Sequence, residues 1–133
     1  MKQDLVLVCR KTEYNIHICD FLRDHHIDTA IIENAENLKA ELSSYSPAFL
    51  LLDFGNKGND SLFSKLSIST MRPLPYIIIA DAFPDGAARS VTLRRGADAC
   101  VETPLIAEEV LAVINAVLRR EQRITRLKLD RTL

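Results

Sequence analysis

Apolar positions along the chain fall into short, dense runs, and between the runs they recur every three or four residues. Five runs, Leu5–Cys9, Thr29–Ile32, Ala48–Leu52, Tyr76–Ala80 and the weaker Ala99–Val101, are mostly Val, Ile, Leu and Ala. Continuous rather than alternating apolarity fits strands covered on both faces, as in a parallel sheet. The intervening stretches read as helices. Tyr14, Ile18, Phe21 and Leu22 share one helical face; Ala35, Leu38 and Leu42 do so more weakly, and Leu62, Phe63 and Leu66 mark a third helix. Asp85 is placed to cap a fourth helix that carries Ala88, Val91 and Leu93 and stops at Gly96. Val110, Leu111, Ile114, Val117 and Leu118 form the clearest stripe, on the last helix.

Strands alternating with helices imply βαβ units with right-handed crossovers. The expected fold is therefore α/β: a (βα)5, flavodoxin-like, doubly wound parallel sheet of five strands in a single domain. The 133 residues, 47% of them hydrophobic, suffice for one core and not for two. A net charge of −1 gives no general attraction to nucleic acid or to a membrane surface. No apolar run approaches the ~18 residues needed to cross a bilayer, and the opening MKQDLVLVC has no signal-peptide layout. Cys9, Cys19 and Cys100 form no CxxC pair, so neither zinc nor a disulfide framework is expected. A cytoplasmic setting follows as the expectation.

In a sheet of this type the functional crevice lies beyond the carboxyl ends of the strands. That directs attention to Cys9–Arg10, Asp53–Phe54, Ala80–Asp81 and Glu102–Thr103. Asp53 follows Phe49-Leu50-Leu51-Leu52, which sets a carboxylate at the rim of the sheet. Such an Asp is either a turn former or a site. The loop Gly55-Asn56-Lys57-Gly58 lacks the spacing of a phosphate loop. His17, His25 and His26 have no carboxylate at ligand spacing and read as surface residues, and free Cys is most often a small buried hydrophobe. No nucleophile-base arrangement is visible, and no enzymatic activity is expected.

Taken in order, the segments resemble the receiver domain of two-component response regulators, from about Leu5 to Arg120. PAFLLLDF is similar to the strand that ends in the family's phosphoacceptor aspartate. LPYIIIADA is similar to its LPxxxxTA stretch, and GADACVETPL to its GADDYxxKPF stretch. AEEVLAVINAVLRRE looks like the last helix of the OmpR/PhoB-type members. The resemblance makes Asp53 the phosphoacceptor position. Its carboxylate would attack a phosphoryl group donated by the phosphohistidine of a sensor kinase. In the family, Mg²⁺ held by an acidic pair after the first strand neutralises the charge, and a hydroxyl and a lysine bind phosphoryl oxygens.

This chain departs from that pattern. Cys9 and Arg10 stand at the acidic pair, Ala80 at the hydroxyl, Thr103 at the lysine, Cys100 at the switch aromatic, and Lys57 at the loop proline. Asp53 and Pro104 remain. Cys9 and Arg10 offer no hard anionic cage, so Mg²⁺ binding is expected to be weak or absent and no cofactor is expected. A guanidinium at Arg10 is expected to pair with Asp53 and to do part of the metal's work. The expected function is that of a degenerate receiver, a pseudo-receiver, acting by fixed shape, partner contact or another ligand. The alternative is a receiver still phosphorylated, with Arg10 or Lys57 serving the phosphoryl group.

The resemblance divides the chain into a receiver-like domain over 1–120 and, over 121–133, a linker and the start of an output domain. Residues 124–130, ITRLKLD, alternate like a strand and look like the LxLD opening strand of a winged-helix DNA-binding domain. The expectation is a truncated piece of a longer transcription regulator, with DNA bound only through that missing domain. The receiver of a signalling enzyme or of an RNA-binding antiterminator is the alternative. A flavodoxin-like small-molecule module is a third reading, which no glycine-rich loop supports. Family members of this type dimerise through their fourth helix, fifth strand and fifth helix. Arg89 and Asp98 match charged positions of that face, whereas Ala99 and Val113 replace charged ones, so the expected homodimer lacks part of its ion-pair network.

Overall fold

The structure, a computed structural model, describes residues 3–33, 44–56, 58–67 and 74–132. Among the described residues nine elements follow in order: β1 (Leu5–Val8), α1 (Glu13–Asp24), β2 (Thr29–Ile32), β3 (Phe49–Asp53), α2 (Asn59–Ser67), β4 (Tyr76–Asp81), α3 (Gly86–Arg94), β5 (Ala99–Glu102) and α4 (Ala107–Thr132). The five strands form one sheet in the order β2-β1-β3-β4-β5, and every pair is parallel. The expected architecture is borne out. The helix expected around Ala35, Leu38 and Leu42 and the loop position Lys57 lie outside the described residues.

The continuous apolar runs have their explanation in a core on each side of the sheet. Leu5, Leu7, Leu51 and Ile78 point to one face and meet Ile18 and Leu22 of α1 and Val110, Ile114 and Val117 of α4. Val6, Val8, Leu50, Leu52, Ile77 and Ile79 point to the other and meet Phe63 and Leu66 of α2. Successive strand residues therefore have no solvent side, and the alternation of a half-exposed strand cannot appear.

Both termini of α3 follow the sequence. Asp85 accepts the Ala88 N–H at 2.9 Å, and Gly96, at φ 120°, ends the helix in a conformation that disfavours a side chain. Its packing face does not follow. Val91 and Leu93 are 50% and 45% exposed, and the side chain that α3 buries is Thr92. Thr92 satisfies its hydroxyl by donating to the Ala88 carbonyl at 3.1 Å, so burying it leaves no unmet polar group. Tyr14 likewise lies half-exposed, at the surface end of the α1 stripe, where its hydroxyl donates to the Leu105 carbonyl.

The strand expected over 124–130 is helix, a continuation of α4. No Gly or Pro interrupts the sequence from Ala107 to Thr132. Its Leu, Lys, Arg, Glu and Gln residues are strong helix formers, and a lone strand would leave its ladder groups unpaired. Within this stretch only Leu127 and Leu129 keep the strand spacing of two, whereas Ile124 and Leu127 stand one helical turn apart. Helix α4 spans 26 residues, about 39 Å at 1.5 Å per residue. Its packing onto the sheet ends near Leu118, and every side chain from Leu118 to Leu127 is exposed.

Candidate functional site

The carboxyl ends of β1, β3, β4 and β5 bring the anticipated residues to one rim. The register aligns Val8 with Leu52, Asp53 with Ala80, and Asp81 with Glu102. Asp53 is half-buried. Its Oδ1 accepts the Gly55 N–H at 2.8 Å, and a Cβ at residue 55 would stand 3.1 Å from that oxygen. A side chain at residue 55 would crowd that oxygen, so a small residue suits the loop's return onto the carboxylate. Phe54 continues the register by donating its N–H to the Ala80 carbonyl at 2.8 Å.

One site residue escaped the sequence reading. Asn59, the first residue of α2, is 1% exposed. Its Nδ2 donates to the carbonyls of Val8, at 2.9 Å, and of Asp53, at 2.8 Å. A single amide thereby joins the ends of β1 and β3 beneath the rim. The signal was local: an Asn at the start of a helix ordinarily reads as a cap, and nothing in one sequence tells a cap from an inward-facing staple.

The replaced positions can now be placed. Cys9 is fully buried. Burial, followed by the charges of Cys19, Asp53 and Glu33, pushes its thiol up to about 12, so at neutral pH it is a protonated thiol and a poor nucleophile. Cys100 is half-buried, and burial raises its thiol against the pull of Arg89. Ala80 is fully buried and brings a methyl group to the flank of Asp53. Thr103 is half-buried, donates its N–H to the Asp81 carbonyl at 3.2 Å, and precedes Pro104 through a cis peptide bond.

Arg10 does not meet the expectation. Among the described residues it makes no ion pair with Asp53. Its carbonyl accepts the Thr12 N–H at 2.9 Å and the Asn15 side chain at 2.7 Å, which turns the chain sharply into α1. The exposed Arg10 instead lines a cavity of about 270 Å³ together with Lys11, Thr12 and Glu33. Among the described residues no group of three or more His, Cys, Asp or Glu side chains is arranged to hold a metal ion.

The residues matched to a dimer face have partners within the chain. Arg89 forms an ion pair with Glu102 and lies 5.6 Å over the Phe83 ring. Asp98 accepts the Ile77 N–H at 2.8 Å and returns its own N–H to the Ile77 carbonyl at 2.8 Å, which fastens the approach to β5 onto β4. Val113 is half-buried against the core beneath α4.

Solved structures with this arrangement are receiver domains. The receiver domain of the TMAO respiratory regulator TorR superposes with a TM-score of 0.73 at 22% identity, covering 87% of this chain and 96% of that one. A response-regulator receiver from Bermanella marisrubri gives 0.74 at 21%, covering 89% and 99%. The fold is that of response-regulator receivers. NtrX from Brucella abortus shares it too, with a TM-score of 0.74 at 19% identity over 96% of this chain, which spans 29% of the NtrX chain. No protein-family model matches the sequence, and no curated protein does. Among the described residues no helix is long and apolar enough to cross a membrane.

Proposed function

We propose that this chain is a regulatory receiver domain that retains the acceptor position, Asp53, but does not use it in metal-dependent phosphoryl transfer. The observation that carries the reading is the register at the rim, where Asp53 lies beside a methyl group at Ala80 and one residue from a second carboxylate at Asp81. A phosphoryl group arriving there would find a methyl group at Ala80 in place of a hydroxyl, a neutral Thr103 in place of a lysine, and the added negative charge of Asp81. Mg²⁺ does not fit the residues present. A hard divalent ion needs several oxygen ligands, whereas β1 ends in a protonated, buried Cys9 and a cationic Arg10, and one Asp53 oxygen already accepts Gly55.

A receiver of this kind is not an enzyme in its own right. It signals through its surface: to a sensor kinase or a comparable partner by contact, to a second copy through the face of α3, β5 and α4, and to DNA through an output domain beyond α4. The resemblance to OmpR/PhoB-type regulators supports transcription control in the cytoplasm as the setting. The exposed Val91 and Leu93 on α3 and Leu118 on α4 support the contact surface. Intact-mass analysis after treatment with acetyl phosphate and Mg²⁺ tests the central claim. The mass is expected to stay unchanged, and stoichiometric addition of one phosphoryl group at Asp53 overturns the reading.

A further inference from the structure

Between α2, α3 and the loop after β4 lies a cavity of about 320 Å³, separate from the Arg10 cavity. That volume is at the small end of the range for ligand sites. Phe54, Phe83 and Pro84 give it apolar walls, and Asp60, Asp81 and Arg95 bring charge. These charges are not equivalent. Arg95 pairs with Asp60 at 2.8 Å, donates to Ser64 Oγ at 2.9 Å, and lies 4.8 Å over the Phe63 ring. Its charge is spent within the wall, and that of Asp60 with it. Asp81 differs. Its Oδ1 accepts the Ala82 N–H at 2.9 Å, and among the described residues no cation pairs with it. The cavity therefore presents one uncompensated carboxylate between aromatic walls.

We infer that this cavity binds a small organic cation, an amine, amidine or guanidine on an apolar or planar body, with the charged head on Asp81 and the body against Phe54 and Phe83. Both rings already attract guanidinium groups of the chain: Arg89 lies 5.6 Å over Phe83, and Arg95 lies 6.0 Å over Phe54. Attraction between a cation and the face of a ring strengthens as water is excluded, and the carboxylate oxygen left free accepts a charge-assisted N–H bond from an amine, amidine or guanidine. An anionic ligand is disfavoured because the one cation in the wall is neutralised by Asp60. A divalent metal is disfavoured because Asp81 is the sole carboxylate there without a cation. The site adjoins Asp53 through Phe54, so a bound cation would act on the same rim without phosphate.

The test is titration of the full chain with benzamidine, benzamide and benzoate, three probes of one shape and different charge, followed by calorimetry and by amide NMR. Benzamidine is expected to bind saturably and to shift the Phe54, Phe83 and Thr92 amides. Benzamide is expected to bind at least ~10-fold more weakly and benzoate not at all, because the head-group charge decides the contact. Asp81→Asn, which keeps the shape of the side chain, should weaken benzamidine at least ~10-fold without moving the melting temperature, since no intramolecular ion pair is lost. Benzamidine still unsaturated at ~10 mM, equal binding of benzamide, shifts confined to other surfaces, or unchanged affinity in Asp81→Asn would each overturn the inference.

Discussion

Helices α1 and α3 flank the same sheet and are held to it in different ways. Helix α1 places Ile18, Cys19 and Leu22 in the core, so apolar burial secures it. Helix α3 buries one threonine and leaves Val91 and Leu93 in solvent. Its hold comes from its edges: Asp85 at the start, Arg89 on Glu102 along the side, and Arg95 against Asp60, Phe54 and Phe63 just past the end. Burial of a large aliphatic side chain contributes about 1.5–3 kcal/mol, whereas an exposed ion pair contributes at most about 1 kcal/mol. The two helices thus differ in how firmly they are fixed, and the weaker one lies near the rim with Val91 and Leu93 exposed. Elements that move in regulation are drawn from such weakly held regions.

Five substitutions, the last read through its pH dependence, sharpen or break this contrast. Leu22→Ala removes a fully buried side chain and should cost about 2–5 kcal/mol in chemical denaturation; a cost below that of any α3 substitution would abolish the asymmetry. Asn59→Leu should cost about 1–3 kcal/mol, since the carbonyls of Val8 and Asp53 lose their buried donor. Asp85→Ala should cost about 1 kcal/mol through loss of the α3 cap, with faster amide exchange confined to the first turn of α3 as the sharper readout. Val91→Lys should change stability by no more than about 0.5 kcal/mol, and a larger loss would mean that α3 is packed more deeply than its exposure indicates. The pH measurement concerns the α1 side. The Cys9 and Cys19 thiols ordinarily ionise near 9.0, and burial pushes them up to about 12 and about 11. Being raised, they contribute stability that is fully present below pH 9 and is lost as the pH climbs through that range. Cys9→Ser should flatten part of this alkaline decline.

The same contrast explains what the sequence could reveal. Runs such as Leu5–Val8 and Phe49–Leu52 are unambiguous because both faces of the sheet are covered, and the order of strands and helices then leaves few topologies. Asp53, Ala80 and Thr103 could be placed at the rim because strand ends are easy to locate. The faces of α3 were not legible: Val91 and Leu93 look like core by composition, and only the three-dimensional position of Thr92 shows that the helix is rotated the other way. Arg10 and Asp53 looked like partners because adjacent strands end there, but a side chain's direction depends on the turn after the strand, which the Asn15 contact sets. Within residues 124–130 only Leu127 and Leu129 keep a period of two, a span too short to exclude a helix. Nothing in the sequence sets Asp81 apart from other strand-end carboxylates, yet among the described residues no cation pairs with it.

The Asn59 bridge beneath the rim carries one further consequence. A carboxamide neither gains nor loses a proton in the range where proteins stay folded, and its two bonds to carbonyl oxygens involve no ions. The spacing between the ends of β1 and β3 should therefore be indifferent to chelators, to acidity and to ionic strength. Where a metal-bridged rim would open and close with the supply of its ion, this one takes its shape when the chain folds. A signal that reshapes it has to break a neutral, buried hydrogen-bond pair.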